Sequence, residues 1–126
     1  MPLVRIDLPA GKSAEYRRSV ADVVYDALRA TMQVPEGDRF QVIAERGPGE
    51  LLIDRGYLGI ERGPDALIVQ VTLSRGRPVE TKQVFYRAVA DGLAARVGLR
   101  PEDVFINLVE VGREDWSFGN GVAQYV

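Results

Sequence analysis

The chain has 126 residues with 16 basic and 18 acidic side chains, a net charge of −2, and fits one domain able to bury a core without disulfides or metal. No run of like charge marks a surface for nucleic acid or membrane, and no apolar run approaches the ~20 residues of a membrane helix. Cysteine and histidine are both absent, which excludes thiol chemistry and disulfides and removes the commonest general base and metal ligand.

No signal-peptide pattern opens the chain, so a cytoplasmic protein is expected. Val4, Ile6 and Leu8 alternate with Arg5 and Asp7, the period of a half-buried strand that Pro9-Ala10-Gly11 ends. Met1 precedes a small residue; its removal would leave Pro2 as a secondary amine at the head of this strand. An α-amino group titrates at about 7.7–8.0, which suits proton transfer near neutral pH. Ser13 is placed to cap a helix running to about Met32, with Val20, Val23, Val24, Ala27, Leu28 and Met32 on one face. A second strand is expected from about Arg39 to Glu45, with Phe40, Val42 and Ala44 on one side.

Gly47-Pro48-Gly49 and Gly63-Pro64-Asp65 bracket two short apolar pieces, which predicts a connector with a small hairpin. Ala66–Ser74 is nearly continuously apolar and β-branched, as a central strand covered on both faces should be. Pro78 suits the start of a second helix buried through Val84, Phe85, Ala88, Val89, Leu93 and Val97 and stopped by Gly98. Val104–Val111 is a fourth strand, and Asn120-Gly121 predicts a final hairpin in the tail.

The chain repeats itself. Leu3–Glu45 aligns with Ile68–Glu110 without a gap, with identities that include Val4/Val69, Gly11/Gly76, Val24/Val89, Asp38/Asp103 and Phe40/Phe105. Two such βαβ units join as an α+β fold: a four-stranded sheet with two helices on one face, plus short hairpins. The expectation is a single domain over 1–126, with halves at about 2–45 and 67–110 and a C-terminal hairpin tail. Because the strands carry apolar residues on both faces, the open face should pack against other subunits in a closed oligomer.

Features shared by both halves need only a structural reason; Pro2, facing Leu67, and Arg75, facing Ala10, belong to one half alone. Arg75 and Arg77 flank Gly76 where the central strand gives way to a helix start, and form either a carboxylate clamp or a pair of solvated surface arginines. Arg75-Gly76-Arg77-Pro78 also spells the core of a minor-groove hook, but it lies between a buried strand and a helix in an acidic chain, and no nucleic-acid partner is expected. Asp38 either serves the Pro2 amine or a water, or, like Asp103, simply forms a turn. Trp116, Phe118 and Tyr125 gather aromatic bulk in the tail, as a dry wall or as oligomer packing. Glu110, Glu114 and Asp115 have no metal-site spacing and are expected to be solvated.

Met1-Pro2-Leu3, Gly37-Asp38-Arg39-Phe40, Pro48-Gly49-Glu50, Ser74-Arg75-Gly76-Arg77, Phe85-Tyr86 and Asp115-Trp116-Ser117-Phe118-Gly119 resemble the tautomerase superfamily and, within it, are most similar to the malonate semialdehyde decarboxylases. The resemblance implies a homotrimer without cofactor or metal. It implies Pro2 as the catalytic amine, Arg75 and Arg77 as holders of a small carboxylate substrate, Asp38 as an assistant to the amine or a water, and Trp116, Phe118 and Tyr125 as a hydrophobic wall. Tyr125 stands where the decarboxylases have Phe, and Val126 ends the chain short of a last wall residue. The expected reaction is decarboxylation of a 3-oxo acid such as malonate semialdehyde. The alternatives are a tautomerase or hydratase of 2-oxo acids with neutral Pro2 as base, and a non-catalytic oligomeric scaffold.

Overall fold

Ser13 keeps an extended backbone and accepts a hydrogen bond from the Tyr16 amide at 3.0 Å, starting a helix whose apolar residues recur every three to four positions. The second helix starts after Pro78, which lacks the amide that a first turn leaves unpaired. Both end on a left-handed residue, Gln33 at φ 58° and Gly98 at φ 69°. The Val34 amide then reaches the Leu28 carbonyl, and the Leu99 amide the Leu93 carbonyl. The repeat therefore extends to the helix caps.

The computed structural model describes residues 1–126. The elements are β1 (Pro2–Pro9), α1 (Ala14–Met32), β2 (Gln41–Arg46), β3 (Leu67–Ser74), α2 (Val79–Val97) and β4 (Val104–Val111), with single 3-10 turns at Tyr57–Gly59, Pro101–Asp103 and Arg113–Asp115. They form one sheet of order β2-β1-β3-β4, in which β1 runs parallel to β2 and antiparallel to β3, and β3 parallel to β4. Arg5 pairs with Gln70. These two are equivalents in the repeat, so a pseudo-twofold axis passes between them and relates the two ends of the sheet.

Val4, Ile6 and Leu8 of β1 and Leu67, Val69, Val71 and Leu73 of β3 meet Val20, Val24 and Leu28 of α1 and Phe85, Val89 and Leu93 of α2 in one core. Both helices therefore cover the same sheet face. Each such side chain contributes roughly 1.5–3 kcal/mol when fully buried. At Gly92 the helices touch: an added Cβ would lie 2.7 Å from Val23 Cγ1. The opposite sheet face presents Phe40, Val42, Phe105 and Val109, exposed by 46, 43, 47 and 37%.

Three expectations are corrected. The connector forms no strand hairpin; the Arg62 guanidinium instead donates to the carbonyls of Asp54, Tyr57 and Ile60 and gathers the loop around itself. In the tail, Asn120 and Gly121 take the positive φ values, 61° and 68°, that a tight hairpin turn needs. No ladder follows, because Gln124 bridges the arms, accepting from the Phe118 amide and donating to the Gly119 carbonyl. Val84 is exposed rather than buried. It lies one residue, about 100°, around the helix from Phe85 and so off the Phe85–Val89–Leu93 stripe. No helix is long and apolar enough to cross a membrane.

Candidate active site

The β1–β2 pairing builds one corner of the site. Val4 pairs with Gln41, and its amide donates to the Phe40 carbonyl at 2.9 Å. Counted back along both strands, this register sets Met1 opposite Asp38. The Met1 amine lies 3.9 Å from Asp38 Oδ2, with both side chains mostly buried. Burial pushes this amine below its ordinary value; Asp38 opposes the shift and Arg77 adds to it. Burial likewise pushes the Asp38 carboxyl up against the pull of the amine.

β3 supplies the second corner. Pro2 is buried and pairs with Leu73, so the chain that follows Ser74 passes beside the head of β1. Gly76, at φ 124°, turns that chain into α2, and only a residue without Cβ adopts this backbone freely. The two flanking arginines differ. Arg75 is exposed, its amide fixed on the Val111 carbonyl at 3.0 Å. Arg77 is half-buried and donates to the Ser74 carbonyl at 3.0 Å and the Met32 carbonyl at 3.3 Å. It thereby ties the last turn of α1 to the end of β3. Two of its nitrogens are committed to backbone, while its charge still reaches the amine.

The tail closes the third side. The Gly112 amide donates to Asp115 Oδ2 at 2.8 Å, setting the turn after which Trp116 and Phe118 fold back. Asp115 thus shapes the backbone, and Glu110 is paired with Lys82 at 3.0 Å rather than simply solvated. Trp116 and Phe118 stack with centroids 5.5 Å apart, and Phe118 meets Tyr125 edge-on at 4.9 Å and Phe40 at 6.4 Å. A cavity of about 240 Å³ lies between this wall and the head of β1, lined by Met1, Pro2, Leu3, Phe40, Trp116, Ser117 and Phe118. Phe40 belongs to the wall, which reading the chain alone did not assign to it. Its signal was the strand alternation that sets it on the sheet face opposite Ile43.

Two buried side-chain polar atoms in the protein have no hydrogen-bond partner, Asp38 Oδ1 and Trp116 Nε1. Buried polar groups are ordinarily paired, and both exceptions fall in this region. The pseudo-twofold axis supplies an internal control. At the other end of the sheet Asp103 replaces Asp38, Leu67 replaces Pro2, Ala10 replaces Arg75 and Lys12 replaces Arg77. There Asp103 accepts from the Gly63 amide at 2.6 Å, and Lys12 pairs with Asp65 at 2.8 Å. A cavity of about 250 Å³ also opens at that end, against Pro9, Ala10, Arg46, Gly63, Pro64 and Ala66, but it has neither an amine nor an unpaired carboxylate oxygen. Anchoring the connector through the Gly63 amide accounts for Asp103, and no such bond accounts for Asp38. No three His, Cys, Asp or Glu side chains converge as metal ligands would.

Two family models, each described as tautomerase enzyme, match residues 2–55 and 38–119. The probable tautomerase YusQ of Bacillus subtilis (strain 168) is 37% identical over 126 residues, all of this chain and 99% of that protein. The crystal structure of FG41 malonate semialdehyde decarboxylase inhibited by 3-bromopropiolate superposes with a TM-score of 0.91 at 41% identity, covering 98% of this chain and 93% of that one. A second malonate semialdehyde decarboxylase, described with decarboxylase and hydratase activities, also gives 0.91 at 33% identity, over 98% and 95% of the two chains.

Proposed function

Because the chain belongs to the tautomerase family, we propose that it decarboxylates a small 3-oxo acid of the malonate semialdehyde kind, without a cofactor, at the corner formed by Pro2, Asp38, Arg75 and Arg77. One observation carries this reading: a buried carboxylate with an oxygen left unpaired lies 3.9 Å from the terminal amine, next to an apolar cavity and an exposed arginine. Removal of Met1 leaves Pro2, the next residue of β1, as the terminal amine at this corner. Arg75 then offers its whole planar fork to the substrate carboxylate, while Arg77, held by two carbonyls, contributes a fixed positive charge.

In the reaction the bond between the carboxylate carbon and its neighbour breaks. Its electron pair moves into the adjacent carbonyl, CO2 leaves, and protonation of the enolate carbon gives the aldehyde. A cationic Pro2 donating a hydrogen bond to the carbonyl oxygen stabilises the charge that develops there. The wall of Trp116, Phe118, Tyr125 and Phe40 keeps the site dry, which strengthens those charge interactions and favours neutral CO2. The apolar sheet face around Val42 and Phe105 supports packing against further copies, and the proposal takes the number to be three, as the family resemblance implies.

A second reading, tautomerisation or hydration of a 2-oxo acid with neutral Pro2 as base, is favoured by burial: it lowers the pKa of the Met1 amine, and Pro2, the next residue of the strand, is itself buried. The two readings part on whether Asp38 outweighs burial and Arg77 at the Pro2 nitrogen. Proton NMR of malonate semialdehyde, with protein whose N-terminal Pro2 is verified by mass, tests them. Acetaldehyde formation that is lost in Pro2→Ala supports decarboxylation. Its absence from protein with a free Pro2 refutes it and leaves the 2-oxo acid reactions to be assayed.

A further inference from the structure

Asp38 has no hydrogen bond of its own to hold its carboxylate in place. Oδ1 is buried without a partner, and Oδ2 meets only the terminal amine, at 3.9 Å. Its position is therefore set by the backbone on either side, and that backbone is fastened to one stretch of α1. The Gly37 amide donates to Tyr25 Oη at 3.0 Å. Arg39 lies over the Tyr25 ring, 4.6 Å from the centroid, and donates to Asp22 Oδ1 at 2.7 Å. Gln41, which also accepts from Arg39, donates to the Ala21 carbonyl at 2.8 Å.

The fastening exists in one half only. Across the repeat Tyr25 becomes Ala90, Asp22 becomes Arg87 and Arg39 becomes Val104, while Asp103 holds itself through the Gly63 amide. A purely structural need to secure this loop would be met in both halves by the same means. Instead, a clamp that leaves the carboxylate oxygens free appears where the amine is, and a clamp that consumes one appears where there is no amine.

We propose that Tyr25 is the positioning residue for the Asp38 carboxylate, its hydroxyl and ring locking the residues before and after Asp38 so that the acid faces the N-terminal amine. The inference rests on the reading of Pro2 and Asp38 as a functional pair, though not on which reaction they perform. The charged groups facing the Met1 amine are Asp38, from the loop before β2, and Arg77, from the junction of β3 and α2, and the proposal takes the same two to act on Pro2, the next residue of β1, once Met1 is removed. Releasing Asp38 leaves Arg77 and burial unopposed. The amine must then lose its proton at lower pH.

The test is a nitrogen NMR titration of the N-terminal Pro2 amine in the assembled protein, for wild type, Asp38→Asn, Tyr25→Phe and Asp22→Asn, with a thermal melt of each. Tyr25→Phe keeps the ring and its contact with Arg39 and removes only the hydroxyl. It is expected to lower the amine pKa in the same direction as Asp38→Asn and by less. Where Pro2 acts as the cationic acid, the basic limb of a turnover assay should follow, with kcat/KM near pH 8 falling about three- to tenfold and KM staying within about twofold; where it acts as the neutral base, the acidic limb should move to lower pH instead. An unchanged amine titration in Tyr25→Phe overturns the proposal, whatever the melt shows. Should that variant fail to assemble, Asp22→Asn, which loosens the half-buried Arg39 from α1, decides the matter by the same criterion. An amine indifferent to Asp38→Asn removes the premise and the proposal with it. Wild-type protein that makes no acetaldehyde retires decarboxylation while leaving the titration decisive for Tyr25.

Discussion

The two arginines at the end of β3 should separate cleanly when each is truncated. Arg75 makes no side-chain hydrogen bond in the free protein, and its backbone bond to Val111 survives substitution. Arg75→Ala should therefore change stability by less than about 0.5 kcal/mol, the usual range for a surface position. Arg77 donates two charge-assisted hydrogen bonds to carbonyls, one of them closing the last turn of α1. Such bonds contribute about 1.5–3 kcal/mol each when dry, and half-exposure together with replacement by water brings the pair to about 1–3 kcal/mol. For a domain of this size that lowers Tm by about 3–12 °C, read at fixed protein concentration because the proposed assembly would make Tm concentration-dependent. Activity should follow another order. Under the proposed function, loss of the Arg75 fork removes a charge-assisted contact to the substrate carboxylate and should cost kcat/KM about 10- to 100-fold at unchanged Tm. Arg77→Ala should lower both. Calorimetric melts beside steady-state kinetics provide the assay. An Arg77→Ala protein that melts with wild type, or an Arg75→Ala protein that keeps full kcat/KM, would refute this division of roles.

Asp38 is expected to oppose folding where it is ionised. Burial raises its folded pKa above the unfolded value, so stability is greatest below the unfolded pKa and is lost as pH rises through the raised one. Asp38→Asn should therefore melt no lower than wild type at neutral pH, flatten the stability profile over the acidic range and lose activity; a clear drop in Tm at pH 7 would contradict this. Phe105→Asp places a charge in the open sheet face and should yield monomers in sedimentation equilibrium, with helical content retained by circular dichroism. Gly92→Ala pushes a methyl into Val23 and should destabilise by about 1–2 kcal/mol, an overpacking cost of about 1–3 kcal/mol partly offset by better helix propensity. Val23→Ala in the same chain should recover most of that loss in denaturant melts. Additivity of the two substitutions would argue against the contact.

What could be read from the residues alone was whatever recurs. Both helices and all four strands follow from apolar patterning, and aligning Leu3 with Ile68 anticipates the symmetry between Arg5 and Gln70. The hairpins could not be read, because turn chemistry at Asn120-Gly121 specifies a bend and says nothing of whether Gln124 will take the hydrogen bonds that a ladder needs. The asymmetry of Arg75 and Arg77 was hidden for a similar reason. Both are arginines beside a glycine, and the carbonyls that claim Arg77 come from two elements distant in sequence. Asp38 and Asp103 looked equivalent until their partners were known.

The pseudo-twofold axis limits how many sites such a chain can carry. The chemistry proposed for Pro2 needs a free terminal amine, and a polypeptide has one. Leu67 occupies the place of Pro2 at the far end of the sheet, but Ala66 precedes it, so its nitrogen is an amide and no side-chain substitution there can restore the missing group. Two βαβ halves made as separate polypeptides would bring two amines to the same sheet. Joined by the 47–66 connector, they bring one. The stoichiometry is fixed by the peptide bond at residue 67, and the quiet end keeps a cavity and a buried acid with a purely mechanical duty, Asp103 holding the connector in place.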